Sequence, residues 1–252
     1  MSIRSNTVTY VKNFYLRQGE QIAINIKGSR VVVTGGQRGL GKAIVDELLQ
    51  RGAARVYATA RAPKLSEDPR VVSVELDVTK ADSVAALAIT ASDANIVINN
   101  AGVLGASNLL SSDIEEVRAV FETNYFGALR VAKAFAPVLA DNGGGALVDI
   151  ASVLSWVGGF GGYGDSKAAL WSATNSLRIE LEKQGTLVTG VHLGYTDTEM
   201  TSAFDVPKND PRDVARQIVD GIERGDAEVL ADDFTRHFKA ALSGPVEALR
   251  AS

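Results

Sequence analysis

Short runs of β-branched and other apolar residues alternate with longer stretches of helical period along nearly the whole chain, and few architectures accept that pattern. Strands are expected at 30–34, 55–60, 71–76, 96–99, 146–150, 187–192 and 228–230. Helices are expected at 40–50, 80–88, 115–139, 163–184 and 211–224, the last opened by Asp210, Pro211 and Arg212 as a cap and first turn. Several strands are apolar throughout, as strands covered on both faces must be. Such alternation gives a parallel sheet under helices, and right-handed crossovers wind it in both directions. The expected fold class is therefore α/β, a doubly wound, mostly parallel seven-stranded sheet with helices on both faces in a single domain. Ligands bind such sheets beyond the carboxyl ends of the strands, so function should concentrate in the loops that follow them.

The length of 252 residues suits one such domain with a large core. Residues 1–27 precede the first strand and carry Tyr10, Phe14 and Tyr15 among polar residues. They are set apart as an extension without an assigned role, and 28–252 is read as the domain. The absence of cysteine removes disulfides, cysteine nucleophiles and thiolate metal sites. The two histidines, His192 and His237, lie far apart without HExxH spacing, so they read as structural or surface residues, and no metal is expected. A net charge of −4 supplies no positive field for a phosphate backbone, which argues against nucleic acid as a partner. No apolar run approaches the roughly 20 residues that span a bilayer. The first residues lack the hydrophobic core of a secretory leader, so the expected setting is cytoplasmic, away from membranes.

The first strand leads into Thr34-Gly35-Gly36-Gln37-Arg38-Gly39-Leu40-Gly41 and then directly into a helix. Glycines at a strand-to-helix turn let backbone approach a pyrophosphate, whose charge the helix N-terminus stabilises. Gly35, Gln37, Arg38, Gly39, Leu40 and Gly41 are thus candidate cofactor contacts. In dinucleotide-binding folds of the Rossmann type a carboxylate about 20 residues further on holds the adenosine ribose and favours NAD. Here that place reads Thr59-Ala60-Arg61. Ala60 can neither bond the ribose nor repel a phosphate, and Arg61 with Arg38 could clamp a 2′-phosphate, so NADP(H) is the expected cofactor. Asp77 and Val78 follow the third strand where adenine would lie. Asn100, Ala101 and Gly102 close the fourth with small residues that leave room for a cofactor.

Tyr163-Gly164-Asp165-Ser166-Lys167 opens a long helix, and a spacing of four puts phenol and ammonium on one face. A tyrosine of ordinary pKa, about 10, is a poor acid-base group at neutral pH. A nearby ammonium favours the phenolate, so the pair could exchange a proton with an alcohol or carbonyl oxygen. Ser152 follows the fifth strand, at the same edge of the sheet, and Asn124 lies in the long helix before it.

Together these residues resemble the short-chain dehydrogenase/reductase family in its short single-domain branch. The resemblance runs from Lys27 to the end of the chain. It is carried by Thr34 to Gly41, by Asn99 to Gly102, by Asn124, Ser152, Tyr163 and Lys167, and by Gly194 to Thr198. It implies Tyr163 as general acid/base and Ser152 as the group that positions the substrate carbonyl. It implies Lys167 as the residue that holds the nicotinamide ribose and tunes Tyr163, and Asn124 as support for a proton-relay water. Gly194, Thr196 and Thr198 would meet the nicotinamide amide and phosphate. Hydride would pass between nicotinamide and substrate carbon while the protein supplies orientation and the proton. Two departures stand out. Leu193 occupies the place where the family usually has proline before glycine, so the turn should be less rigid. The loop between Ser152 and Tyr163 is also shortened, which should reshape the pocket.

Val153, Trp156, Phe160, Tyr195 and Met200, with Val103, Leu104 and Phe204 nearby, should face the substrate, and their apolar character suggests a mainly hydrophobic ketone, aldehyde or alcohol. The leading expectation is an NADP(H)-dependent carbonyl reductase or alcohol dehydrogenase acting as a homodimer or homotetramer. A rival is a catalytically silent NADP(H)-binding sensor or scaffold of the same fold, against which the intact Tyr163, Lys167, Ser152 and Asn124 speak. A sugar-nucleotide epimerase or dehydratase would want a larger C-terminal substrate region than this chain has after Met200.

Overall fold

The structure, a computed structural model, describes residues 23–250, so most of the N-terminal extension lies outside it. Seven strands form one sheet: β1 Arg30–Val33, β2 Arg55–Ala60, β3 Val71–Glu75, β4 Ile96–Asn99, β5 Ala146–Ile150, β6 Leu187–His192 and β7 Glu228–Leu230. Their order is β3-β2-β1-β4-β5-β6-β7, and every neighbouring pair is parallel. The sheet is doubly wound, and its direction of winding reverses between β1 and β4. That reversal opens a crevice at the carboxyl edge, where a ligand can enter between diverging loops.

Two apolar clusters cover the two faces. Val31 and Val33 of β1 point into one, with Ile44, Leu48, Ile218 and Ile222, and the intervening Val32 points into the other, with Phe135 and Leu139. Val31, Val32 and Val33 thus bury apolar side chains on both faces, as a strand of a parallel sheet covered by helices on each side must. Ile26 is fully buried in the first cluster, so the packed unit takes in residues just ahead of Lys27.

The helices among the described residues are α1 Gly39–Gln50, α2 Ala81–Thr90, α3 Ile114–Phe121, α4 Ala128–Asp141, α5 Gly161–Glu180, α6 Pro211–Arg224 and α7 Asp233–Ala241. Local chemistry sets several ends. Asp210 accepts from the Arg212 amide ahead of Pro211, and Gly225 closes α6 in the left-handed region at φ 76°. The expected single helix over 115–139 is interrupted: Glu122–Gly127 forms a π turn between α3 and α4. Gly127 packs there against Val78, where a Cβ would come within 2.7 Å of Val78 Cγ2. None of the described helices is long and apolar enough to cross a membrane.

A third, smaller apolar cluster of Val153, Trp156, Val157 and Phe238 lies under the loop that joins β5 to α5. The last turn of the chain, Val246–Leu249, returns to this loop. The Gly158 amide donates to the Leu249 carbonyl at 3.3 Å, and Gly158 and Arg250 form a short parallel bridge.

Candidate active site

The loop after β1 is shaped by contacts that only glycine permits. A Cβ on Gly41 would lie 2.2 Å from the Gly35 carbonyl oxygen, and Gly35 and Gly39 adopt φ of 64° and 51°. Arg38, which precedes the first turn of α1, offers no side-chain acceptor to that turn. The helix amides therefore remain available to an anion. Thr34 Oγ1 accepts from the amides of Asn100 and Ala101, each at 2.9 Å, and Asn100 Nδ2 donates to the Thr34 carbonyl at 2.8 Å. These bonds lock the ends of β1 and β4 together at the crevice. Leu40, the second residue of α1, packs against the first cluster. Residues, loop shape and open helix end all fit a dinucleotide phosphate.

The remaining expected cofactor residues fall around the same edge. Ala60 ends β2, and Arg61 is exposed next to it. Asp77 accepts from the Thr79 amide and hydroxyl, which hold its carboxyl below the ordinary range. Val78 is buried in the second cluster. Gln37 does something more specific than face a cofactor: its amide donates to the Lys64 carbonyl at 2.9 Å and accepts from the Lys64 amide at 2.8 Å, tying the glycine loop to the segment after β2.

Of the four expected catalytic side chains, Asn124 and Lys167 meet at Gly102, and Ser152 lies beside Tyr163. A Cβ on Gly102 would come within 3.3 Å of Asn124 Oδ1 and 3.7 Å of Lys167 Nζ. Asn124 sits in the π turn, buried. Its amide accepts from the Val103 amide at 2.9 Å and donates to the Val103 carbonyl and to Ser166 Oγ, each at 3.0 Å. Ser166 in turn donates to the Tyr163 carbonyl at 2.7 Å, so it couples Asn124 to the first turn of α5. Ser152 lies two residues beyond β5 in extended conformation and caps the turn Val153–Ser155, its hydroxyl accepting from the Leu154 amide at 3.1 Å.

The electrostatics differ from what Tyr163 and Lys167 suggest by spacing alone. Burial pushes the Tyr163 phenol up to about 12, against a smaller pull downward from the Ser152 hydroxyl, and the Tyr195 phenol nearby adds to the rise. Lys167 does not offset this. Its Nζ is 5.8 Å from the Tyr163 ring centroid and donates to the Ile150 carbonyl at 2.7 Å, while burial pulls its own pKa down to about 8 against the charge of Asp149. Desolvation outweighs the charge pair because Lys167 is buried and Tyr163 is half-buried. At neutral pH the site therefore holds a protonated phenol beside an ammonium that is close to losing its proton.

Val153 and Trp156, expected to line the substrate space, pack instead in the third cluster. The 3-10 turn Val153–Ser155 directly after Ser152 carries them inward, where the Trp156 ring stacks on His192 at 4.1 Å. Phe160, Tyr195 and Phe204 remain partly exposed beside Tyr163, Met200 is more open, and Val103 is held through its backbone by Asn124. Gly194 lies on a turn that needs no proline: its amide donates to Asp232 Oδ2 at 2.7 Å, and the same oxygen accepts from Asn209 Nδ2 at 2.8 Å. Thr196 is buried beside Asn209, and the Thr198 side chain rests against Gly39.

Four supporting groups, Asp149, His192, Asp232 and Ser166, were given no role by the sequence reading. Asp149, buried on β5, accepts from Asn99 Nδ2 at 2.9 Å and Thr174 Oγ1 at 2.7 Å; burial raises its pKa, while these donors and Lys167 oppose the rise. His192 is fully buried, and its Nδ1 lies 3.1 Å from the Ser152 carbonyl. Asp232 reaches Gly194 across 38 positions. Only Ser166 left a local signal, since it sits three positions from Tyr163 on the same helix and adjoins Lys167.

A family model described as short chain dehydrogenase matches residues 29–208. An uncharacterized oxidoreductase of Myxococcus xanthus is 34% identical over 215 residues, 79% of this chain and 85% of that one. A 1-deoxy-11-beta-hydroxypentalenate dehydrogenase of Streptomyces avermitilis is 35% identical over 203 residues, 74% of this chain and 75% of that one. A short chain dehydrogenase from Burkholderia cenocepacia, solved in complex with NADP, superposes with a TM-score of 0.84 at 36% identity, covering 90% of this chain and 97% of its own. A match across most of the sheet and its ligand edge, with relatives above 30% identity, shows that the chain belongs to the short-chain dehydrogenase/reductase family.

Proposed function

We propose that the protein is an NADP(H)-dependent oxidoreductase that interconverts a mainly apolar ketone or aldehyde and the corresponding alcohol. The observation that carries this reading is the pairing of Asn124 with Lys167 at Gly102 and of Ser152 with Tyr163, at the ligand edge of the sheet. Arg38 and Arg61 supply cations where a 2′-phosphate would sit, Ala60 offers no competing carboxylate, and a relative at 36% identity was solved with NADP. The glycine loop, the open end of α1, Asn100, Thr196 and Thr198 would hold the dinucleotide.

When bound, the cofactor supplies or accepts the hydride. The chain's own residues orient the substrate and move the proton. Ser152 can hold the substrate oxygen because its hydroxyl proton is not committed to the Leu154 amide, which donates to it. Tyr163, protonated at neutral pH, delivers a proton to that oxygen as the carbonyl carbon is reduced, and takes one back in the alcohol direction. Lys167, bonded to the Ile150 carbonyl, presents its remaining protons toward Gly102 and Asn124, where a ribose and a relay water would lie.

A silent binder would have no use for the acid-base set, Tyr163 with Ser152 beside it, that this site keeps together. The domain is read as 28–252 extended back to at least Ile26, which packs in the first cluster, and its setting as the cytoplasm. A homodimer or homotetramer is the proposed assembly, since Leu109, Leu110, Ile114 and Phe126 are exposed apolar residues of the kind a second copy would cover. An absorbance assay of NADPH oxidation against ketones and aldehydes, with Tyr163→Phe as blank, tests the activity. No consumption above that blank across the panel would refute it.

A further inference from the structure

Three aromatic rings from three separate segments meet beside the proton donor. Phe160 ends the loop between β5 and α5, Tyr195 follows Gly194 after β6, and Phe204 lies beyond the short turn Glu199–Thr201. Tyr195 and Phe204 have centroids 5.3 Å apart at 49°, Phe160 and Phe204 6.1 Å at 60°, and Phe160 and Tyr195 6.2 Å at 68°. None of the three belongs to the apolar clusters of the core, and each keeps part of its surface open. Their backbones are fixed. Gly162 donates to the Ala106 carbonyl at 2.8 Å behind Phe160, Asn209 donates to the Tyr195 carbonyl at 2.8 Å, and the Phe204 amide donates to Thr201 at 3.1 Å. The inclined rings present faces and edges together, at a place built before any substrate arrives.

An apolar wall of aliphatic residues rewards buried area and little else. Aromatic pairs add an edge-to-face attraction worth about two- to twelvefold in affinity per pair beyond area, and a rigid ring has fewer rotors to immobilise than an open chain. We propose that Phe160, Tyr195 and Phe204 form a recognition wall for a ring attached next to the reacting carbonyl, so that aryl and alicyclic ketones or aldehydes are the substrate class. The inference rests on the carbonyl-reducing activity proposed above and narrows it.

The test compares kcat/KM of the full chain for acetophenone and 2-octanone, and for benzaldehyde and heptanal, each pair matched in carbon number. The ring compound should be preferred about tenfold or more in both pairs. Phe204→Leu keeps the apolar bulk and removes the ring; it should cut that preference, read as the ratio of ring to open-chain kcat/KM, about threefold or more, with thermal melting confirming that the variant folds. Equal turnover of ring and open-chain compounds, or an unchanged preference in Phe204→Leu, overturns the wall but leaves the reductase reading standing. Turnover of none of the four, with NADPH binding confirmed by fluorescence, removes the reductase reading and the wall with it.

Discussion

The Arg38 guanidinium lies 3.0 Å from the Glu199 carboxylate, joining the glycine loop to the segment after β6. Both side chains are largely exposed, so the pair contributes little to stability, about 0–1 kcal/mol. Its effect should be on cofactor choice, because the guanidinium needed by a 2′-phosphate is already claimed. Glu199→Gln should tighten NADPH about two- to fivefold and leave NADH unchanged in fluorescence titrations. Replacing Arg38 and Arg61 by alanine should weaken NADPH about tenfold more than NADH. Equal effects on the two cofactors would show that neither arginine reads the phosphate.

Tyr163→Phe should lower turnover by about a hundredfold or more while NADPH still binds, since only the proton donor is removed. With the Tyr163 phenol raised to about 12, the alkaline limb of carbonyl reduction should come from Lys167 instead. Activity of the native protein should fall as pH rises through about 8, where Lys167 loses its charge. A profile flat to pH 10 would contradict this assignment.

His192 gives a stability signature in acid. Burial lowers its pKa from 6.5 to about 4, so the unfolded chain takes up a proton that the folded chain refuses. The stability present above pH 6.5 should erode as pH falls toward 4, by about 3 kcal/mol for the full shift. His192→Phe keeps a ring against Trp156 and has no proton to gain. Urea midpoints of this variant should depend less on pH between 6.5 and 4.5 than those of the native protein; identical slopes would place the acid sensitivity elsewhere.

Asp232 does the work expected of the missing proline. It accepts from the Gly194 amide and Asn209 with one oxygen, and from the Thr235 amide and hydroxyl, each at 2.7 Å, with the other. Asp232→Ala should cost about 3 kcal/mol, the turn after β6 losing its anchor and α7 its cap, and NADPH should bind more weakly. Asp232→Asn should fall between, as seen by thermal melting and cofactor titration.

Strands β2, β4, β5, β6 and β7 run over the residues that periodicity alone assigns, because each centres on short runs of β-branched and other apolar residues that pack against the helices. The glycine loop and the Tyr163–Lys167 pair were legible for a similar reason: their chemistry is local. The π turn was not, since Asn124 bonds the backbone of Val103, 21 positions earlier, and nothing in Glu122–Gly127 announces it. The inward turn of Val153 and Trp156 depends on His192, and the rigidity of Gly194 on Asp232; both are partners supplied by distant strands and helices. Helix α7 was missed because it is short and its cap doubles as the anchor of another loop.

The bridge between Gly158 and Arg250 makes the turn Val246–Leu249 a handle on the reaction centre. Whatever is joined there, whether an affinity tag, a surface linkage or a dye, is coupled mechanically to the stretch between Ser152 and Tyr163. Immobilisation through that end should disturb turnover where attachment at the exposed Ile89 on α2 should not, and a fluorophore beyond Arg250 would report when the loop moves.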